Sequence, residues 1–349
     1  MKHNLKTIFI LITFFLIAQF LGLAILAQYI DIKQTATTQE TVINEQSYNI
    51  TGIQPSEIRD DSYSFIFITI AVLLGTGIVL LIVKFKKRNL WKAWFYLSVI
   101  ISLMMAFSPF MEKFLKLFQI AQYTFYITLV IVAILGYFKV FKPNLYVHNF
   151  TELFIYGGLA AILVPVLNIT SIVILLILIS IYDAYAVWKS KHMIAMAEFQ
   201  TEQNLFAGLM VHKKAEQPEK ENQEKTAKET PILVEQKITA NKEQKNKTKT
   251  TETTIPTNEK QATESETQSQ RSRTAILGGG DIAFPLLFAG TVFKYAGSLL
   301  QPIVIIITTA IALFLLFLYG KKSKYYPAMP FLTAGCFIGY GLLWLFHLI

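Results

Sequence analysis

Nine apolar runs, each long enough to cross a hydrocarbon layer, leave this chain little freedom in what it folds into. They lie near residues 8–30, 64–83, 93–110, 117–138, 150–167, 169–188, 274–295, 299–319 and 326–349. A spanning helix needs roughly 20 predominantly apolar residues. Composition agrees, with 53% hydrophobic and only 16% charged residues in 349 and a mean hydropathy of +0.45. The expectation is an all-α multi-pass membrane protein with nine transmembrane helices. The first run follows Lys2 and Lys6, as a signal peptide would. Its apolar core exceeds the roughly 7 to 15 residues of a signal h-region, so it reads as a retained helix. Near Asn168 two runs abut, and a single element kinked at Pro165 is the alternative there.

Basic residues set the orientation. With the amino terminus in the cytoplasm, Lys2, Lys6, Lys84, Lys86, Lys87, Arg88, Lys92, Lys139, Lys142, Lys321, Lys322 and Lys324 fall inside, whereas only Lys33, Arg59, Lys113, Lys116 and Lys294 fall outside. Nine spans then put the carboxyl terminus outside, and removal of the first run would not change the orientation of the rest. The net charge of +9 serves as topological anchoring, not as a nucleic-acid face, because the lysines flank apolar runs. One cysteine, Cys336, excludes an internal disulfide and argues against a thiolate metal site. The external loop 31–62 is acidic and carries an accessible sequon, Asn49-Ile50-Thr51.

Four regions follow: a five-helix amino-terminal bundle (1–168), the sixth helix with an extension (169–212), a polar cytoplasmic loop (213–273) and a three-helix carboxyl-terminal bundle (274–349). The loop is dominated by Glu, Lys, Gln and Thr and should be disordered, since it cannot bury enough apolar surface to offset its ordering entropy. Before it, Met193, Ile194, Met196, Phe199, Phe206, Leu209 and Met210 fit either a short interfacial helix or a frayed helix end.

Two acids interrupt the apolar runs. Asp183 lies six residues before Lys189, and Asp281 lies eight after Arg273. At 1.5 Å per residue both sit roughly 9 to 12 Å from the cytoplasmic boundary, so antiparallel neighbours can oppose them. Charged groups at such depth are costly and mark function by default. Two carboxylates a few Å apart share one proton, and such a pair can activate water and protonate a scissile carbonyl. Three glycines, Gly278, Gly279 and Gly280, follow Leu277 and precede Asp281. They disfavour a regular helix start, yet Gly278 and Gly280 permit close backbone approach, by the Asp183 helix or by an extended substrate. Pro327-Ala328-Met329-Pro330 opens the last run on the same side as both acids.

These residues resemble the presenilin and signal peptide peptidase group of intramembrane aspartyl proteases. The likeness rests on Tyr182-Asp183 in the sixth run, Leu277-Gly278-Gly279-Gly280-Asp281 in the seventh and Pro327-Ala328-Met329 opening the ninth. It is convincing from about Ser171 to Phe331 outside the polar loop, and the chain looks like a microbial presenilin homologue of archaeal type. The resemblance implies a presenilin-like fold, an Asp183/Asp281 catalytic dyad, Gly278 and Gly280 as active-site glycines, and Pro327 and Ala328 in a substrate-positioning motif. Met329 stands where the family usually has leucine, a nearly volume-conserving exchange. It further implies transmembrane-helix substrates that unwind and pair as a strand, with no cofactor.

Other chemistries have less support. There is no HExxH or GxSG, and His3, His148, His192, His212 and His347 are scattered without metal-ligand spacing. Paired membrane acids also serve cation- or proton-coupled transporters, the alternative class, but no repeated pair of broken helices is visible.

Overall fold

The computed structural model describes residues 5–53, 88–190, 207–212, 274–320 and 326–347, with scattered positions between 66 and 78. The chain divides into two units, residues 1–211 with 275–349, and residues 212–274. Apart from its end residues His212 and Thr274, the second unit lies outside the described residues, as do most of the 64–83 run and Met193 to Phe206. The first unit is a helical bundle. Its helices are α1 (Leu5–Leu26), α2 (Ile32–Thr38), α3 (Glu45–Thr51), α4 (Arg88–Lys116), α5 (Thr124–Val140), α6 (Leu145–Leu163), α7 (Ile169–Tyr185), α8 (Gly279–Ala296), α9 (Leu300–Tyr319) and α10 (Met329–Leu345). A two-stranded sheet joins β1 (Gly208–His212) to β2 (Thr274–Gly278).

Six of the described helical segments are long and apolar enough to cross a membrane: those containing α1, α4, α5, α6, α7 and α9. Helix α10 is apolar but shorter. The boundary near Asn168 resolves as two helices. A tight turn over Val164–Val166 ends α6, and the Asn168 side chain accepts the Ser171 N–H at 2.7 Å, capping α7.

Helix α8 is the centre of the bundle. From Ile282 to Lys294 it is buried almost all round, and it packs on α1, α2, α6, α7, α9 and α10. The expected seventh run is helical only from Gly279, its first five residues are not helical, and α8 is not among the six described segments long and apolar enough to cross a membrane. Thr274–Gly278 form a strand, and Leu209 and Met210, expected in an interfacial helix or a frayed helix end, belong to its partner. Short apolar stretches fit either period, and here pairing satisfies their backbone groups. Three glycines also do not prevent a helix start. Gly278 is the extended cap, and α8 begins at Gly279. The sequon is less open than expected, because Asn49 is exposed but Thr51 is buried in α3.

Prolines explain how the segment 27–53 is tied down. Pro109 inside α4 cannot donate to the carbonyl of Met105, and Pro165 cannot donate to that of Ala161. Tyrosine hydroxyls supply the missing donors: Tyr29 Oη to Met105 O at 2.6 Å and Tyr48 Oη to Ala161 O at 2.7 Å. Burial raises both phenols well above the usual tyrosine range, so they remain donors at any physiological pH. The two rings also pack together, with centroids 4.8 Å apart.

Tyr29→Phe should therefore destabilise the detergent-solubilised protein by about 1 to 3 kcal/mol, the cost of an unsatisfied buried acceptor. In a Pro109→Ala background the helix can satisfy Met105 itself, so the penalty should shrink. Thermal unfolding of the four proteins checks this, and strictly additive effects would refute it.

Candidate active site

Asp183 lies in the last turn of α7, where the carbonyl end of the helix repels a carboxylate. Helix α10 offsets that. The Met329 N–H donates to Asp183 Oδ2 at 3.1 Å, and the Ala328 N–H donates to the same carboxylate. Ala328 caps α10 and Met329 is its first residue, so two donors that a helix start leaves orphaned are used here. Pro327 is buried and Pro330 occupies the first turn, where its missing N–H costs nothing. One turn from each of these, Ser180 and Thr333 join α7 to α10 through a hydroxyl pair at 2.7 Å. The motif opening α10 thus touches an acid directly.

Asp281 is the third residue of α8, and its carboxylate reaches back to accept the N–H of the cap, Gly278. That is half of a capping box, with aspartate in place of the usual glutamate. Helices α7 and α8 pack together and bring the two carboxyl groups within electrostatic reach of each other. Asp183 is 9% exposed and Asp281 is half-buried. Each acid therefore sits on a helix amino terminus.

The three glycines have different surroundings. A Cβ on Gly278 would lie 3.1 Å from Asp281 Oδ2, one on Gly279 would lie 3.1 Å from Tyr156 Oη and 3.3 Å from Ala207 O, and one on Gly280 would meet only Phe284, at 3.7 Å. The close approach expected at Gly278 is made by the aspartate itself. At exposed Gly280 the Asp183 helix makes no such approach. Leu277, in β2, is buried, and Tyr182 is half-buried next to Asp183 in α7. Among the described residues, no three His, Cys, Asp or Glu side chains gather as a metal set.

Sequence reasoning missed a second polar group beneath the glycines. Lys139 Nζ and Glu152 Oε1 form a fully buried ion pair at 2.6 Å, and Tyr156 Oη donates to the other Glu152 oxygen. Tyr156 also lies within electrostatic reach of Asp281. From its place at the end of a run, Lys139 reads as a topological anchor. Its burial at 1% exposure was legible only through Glu152, an acid inside an apolar run with no charge nearby in sequence. Also unforeseen was Gln19 of α1, whose Nε2 donates to Ile282 O next to Asp281.

A helical bundle with two carboxyl groups within electrostatic reach of each other is compatible with a membrane-embedded aspartyl enzyme. The sequence matches the family described as signal-peptide peptidase, presenilin aspartyl protease over residues 40–349, and the chain belongs to that family of hydrolases. Two solved structures of a presenilin family intramembrane aspartate protease resemble the fold. The one in space group P2 has a TM-score of 0.55 at 14% identity, covering 95% of each chain. The one in space group C222 has a TM-score of 0.51 at 13% identity, covering 96% of this chain and 97% of that one. No curated protein matches the chain in sequence.

Gly278→Ala should displace the Asp281 carboxylate and lower the rate of cleavage of a single-span substrate by about 10²-fold, the scale of a misplacement near 1 Å. Gly280→Ala should leave the thermal midpoint unchanged. Equal rates for wild type and Gly278→Ala would show that the carboxylate tolerates the methyl group.

Proposed function

We propose that this chain is an intramembrane endopeptidase that hydrolyses peptide bonds within or near the transmembrane helices of other membrane proteins, with Asp183 and Asp281 as its catalytic pair. The observation that carries the reading is the pairing itself: two carboxyl groups from adjacent helices, each held by N–H donors at a helix start. Close carboxyl groups hold one proton between them. The ionised member takes a proton from water as the oxygen adds to the scissile carbonyl carbon. The protonated member gives its proton to the carbonyl oxygen. The resulting gem-diol then collapses as a proton passes to the amide nitrogen and the C–N bond breaks, leaving a carboxylic acid, an amine and the pair with one proton again. Which acid holds the proton is a property of the pair.

Peptide bonds in a transmembrane helix are shielded by their own hydrogen bonds, so the substrate has to unwind locally. Strand β2 offers a route, since among the described residues it pairs on one side only, with β1, and leads directly into Gly278 and Asp281. An unwound segment laid along it would satisfy its backbone by strand addition. Exposed Gly280 leaves room for its passage. Pro327, Ala328 and Met329 act on this reading by fixing Asp183, with Tyr182 and Leu277 as supporting neighbours. The orientation expected from the lysines places the site near the cytoplasmic face and favours substrates with their amino terminus outside.

Reconstituted wild type should cut a single-span substrate, and Asp183→Asn or Asp281→Asn should each reduce the rate by about 10²- to 10⁴-fold, the worth of a positioned acid or base. Residual cutting by either variant at wild-type speed would remove that residue from the pair. A tagged substrate inserted both ways should be cut faster with its amino terminus outside, and the reverse preference would overturn the orientation.

A further inference from the structure

The sheet beside Asp281 is not held by its own two strands alone. A two-stranded ribbon is marginal in isolation. Here the first turn of α6 grips β1. Asn149 of α6 pairs with the backbone of Met210 in both directions, Nδ2 donating to Met210 O at 2.8 Å and Oδ1 accepting from Met210 N at 3.0 Å. One side chain thereby imitates a neighbouring strand. His148 Nε2 lies 2.8 Å from Gly208 O, and its Nδ1 lies 3.3 Å from Lys139 Nζ. A carbonyl only accepts and an ammonium only donates, so the ring carries its proton on Nε2 and accepts at Nδ1. Lys139 is in turn fixed by Glu152, and Glu152 by Tyr156.

The grip continues to the catalytic helix. Ala207 O, just before β1, accepts the N–H of Gly279 at 3.1 Å, the first helical residue of α8. Tyr156 Oη packs against the same glycine. His148, Glu152, Lys139 and Tyr156 are all at most 7% exposed. A buried, satisfied network of this kind has one arrangement, and breaking any member leaves another unpaired.

We propose that His148 and Asn149, locked by Lys139, Glu152 and Tyr156, are positioning residues that keep the β1–β2 sheet formed before substrate arrives, so that an unwound substrate segment meets a ready template next to Asp281. This rests on the proteolytic reading above. It differs in assigning substrate capture to residues of α5 and α6 that touch neither carboxylate. A preformed edge spares the substrate the cost of ordering β1 and β2 as it binds. Loss of the grip therefore weakens binding more than it slows chemistry.

The test uses full-length protein in nanodiscs, with Asn149→Leu, His148→Leu and His148→Gln, each made in wild type and in Asp281→Asn. Gln retains a donor for Gly208 O and an acceptor for Lys139. Amide hydrogen exchange over residues 207–211 should rise at least ten-fold in both Leu variants while α7 and α9 stay protected. Binding of a single-span peptide to the Asp281→Asn forms should weaken at least ten-fold, and in the active forms KM should rise with a smaller change in kcat. His148→Gln should recover most of both losses. Unchanged exchange at 207–211, or unchanged peptide affinity despite faster exchange, would overturn the proposal. So would a uniform rise in exchange across all helices, because that is general destabilisation. Failure of the wild type to cleave would sink the proteolytic reading instead, while exchange and peptide binding would still decide whether the grip prepares the sheet.

Discussion

A carboxylate inside a bilayer-embedded bundle needs donors, and in this protein the donors are the N–H groups that helix starts leave over. Asp281 takes one from the start of its own helix, and Asp183 takes two from the start of α10. The choice is economical in lipid, where each orphaned N–H would itself be costly. A helix amino terminus also favours negative charge by about 0.3 to 1 kcal/mol at exposed sites and more where burial reduces screening. Neither contact uses up all four lone-pair directions of a carboxylate. Each acid is thus oriented while retaining oxygen lone pairs for water or substrate.

Those two helix starts must stay in place, and the bundle is built to hold them. Helix α8 is fixed at both ends. Asp281 lies at one end, and at the other Lys294 is fully buried, donating to Thr41 Oγ1 at 2.8 Å and to the carbonyls of Val164 and Pro165 at 3.1 and 3.2 Å. Between them Pro285 removes the usual donor to the Asp281 carbonyl, and Gln19 reaches over from α1 to the next one, on Ile282. At Pro109 and Pro165, by contrast, tyrosines of the 27–53 segment occupy the freed carbonyls themselves. Proline here does not loosen the helices. It creates acceptors at chosen levels, and side chains from other elements bind them.

This explains which parts could be read from the sequence. Asp183 and Asp281 stand out because an acid in an apolar run is costly, whereas Pro327, at a helix start where proline is ordinary, gains meaning only from lying on the same side as both acids. The helices announce themselves by length. The strands do not, since Leu209, Met210 and Leu277 fit an apolar helical face equally well until a partner is known. Lys139 and Glu152 are thirteen positions apart, beyond any local pairing rule, and Lys139 sits where basic residues ordinarily mark the membrane boundary. Their pairing comes from the turn between α5 and α6, which sequence does not specify. In sequence Gly278 and Gly280 share one property, close approach, whereas the neighbours of Gly278, Gly279 and Gly280 are a carboxylate, a tyrosine and a phenylalanine of the same helix.

The buried Lys139–Glu152 pair raises the question of why two more charges are placed so near an acidic site. Such pairs are weak contributors to stability, and a hydrophobic replacement of both is often neutral or better. Their value lies in what each fixes next. Lys139 sets the proton of His148 on the nitrogen that faces β1, and Glu152 fixes the Tyr156 hydroxyl against Gly279. An apolar substitute would pack as well but would orient nothing. A strand-to-helix change occurs within one residue, between Gly278 and Gly279, and both arms of the network end on its two sides. The arrangement stabilises a point where extended backbone comes up to the helix that carries Asp281. Peptide-bond chemistry in a membrane requires such a point, because a helix presented to two carboxylates keeps its carbonyls occupied.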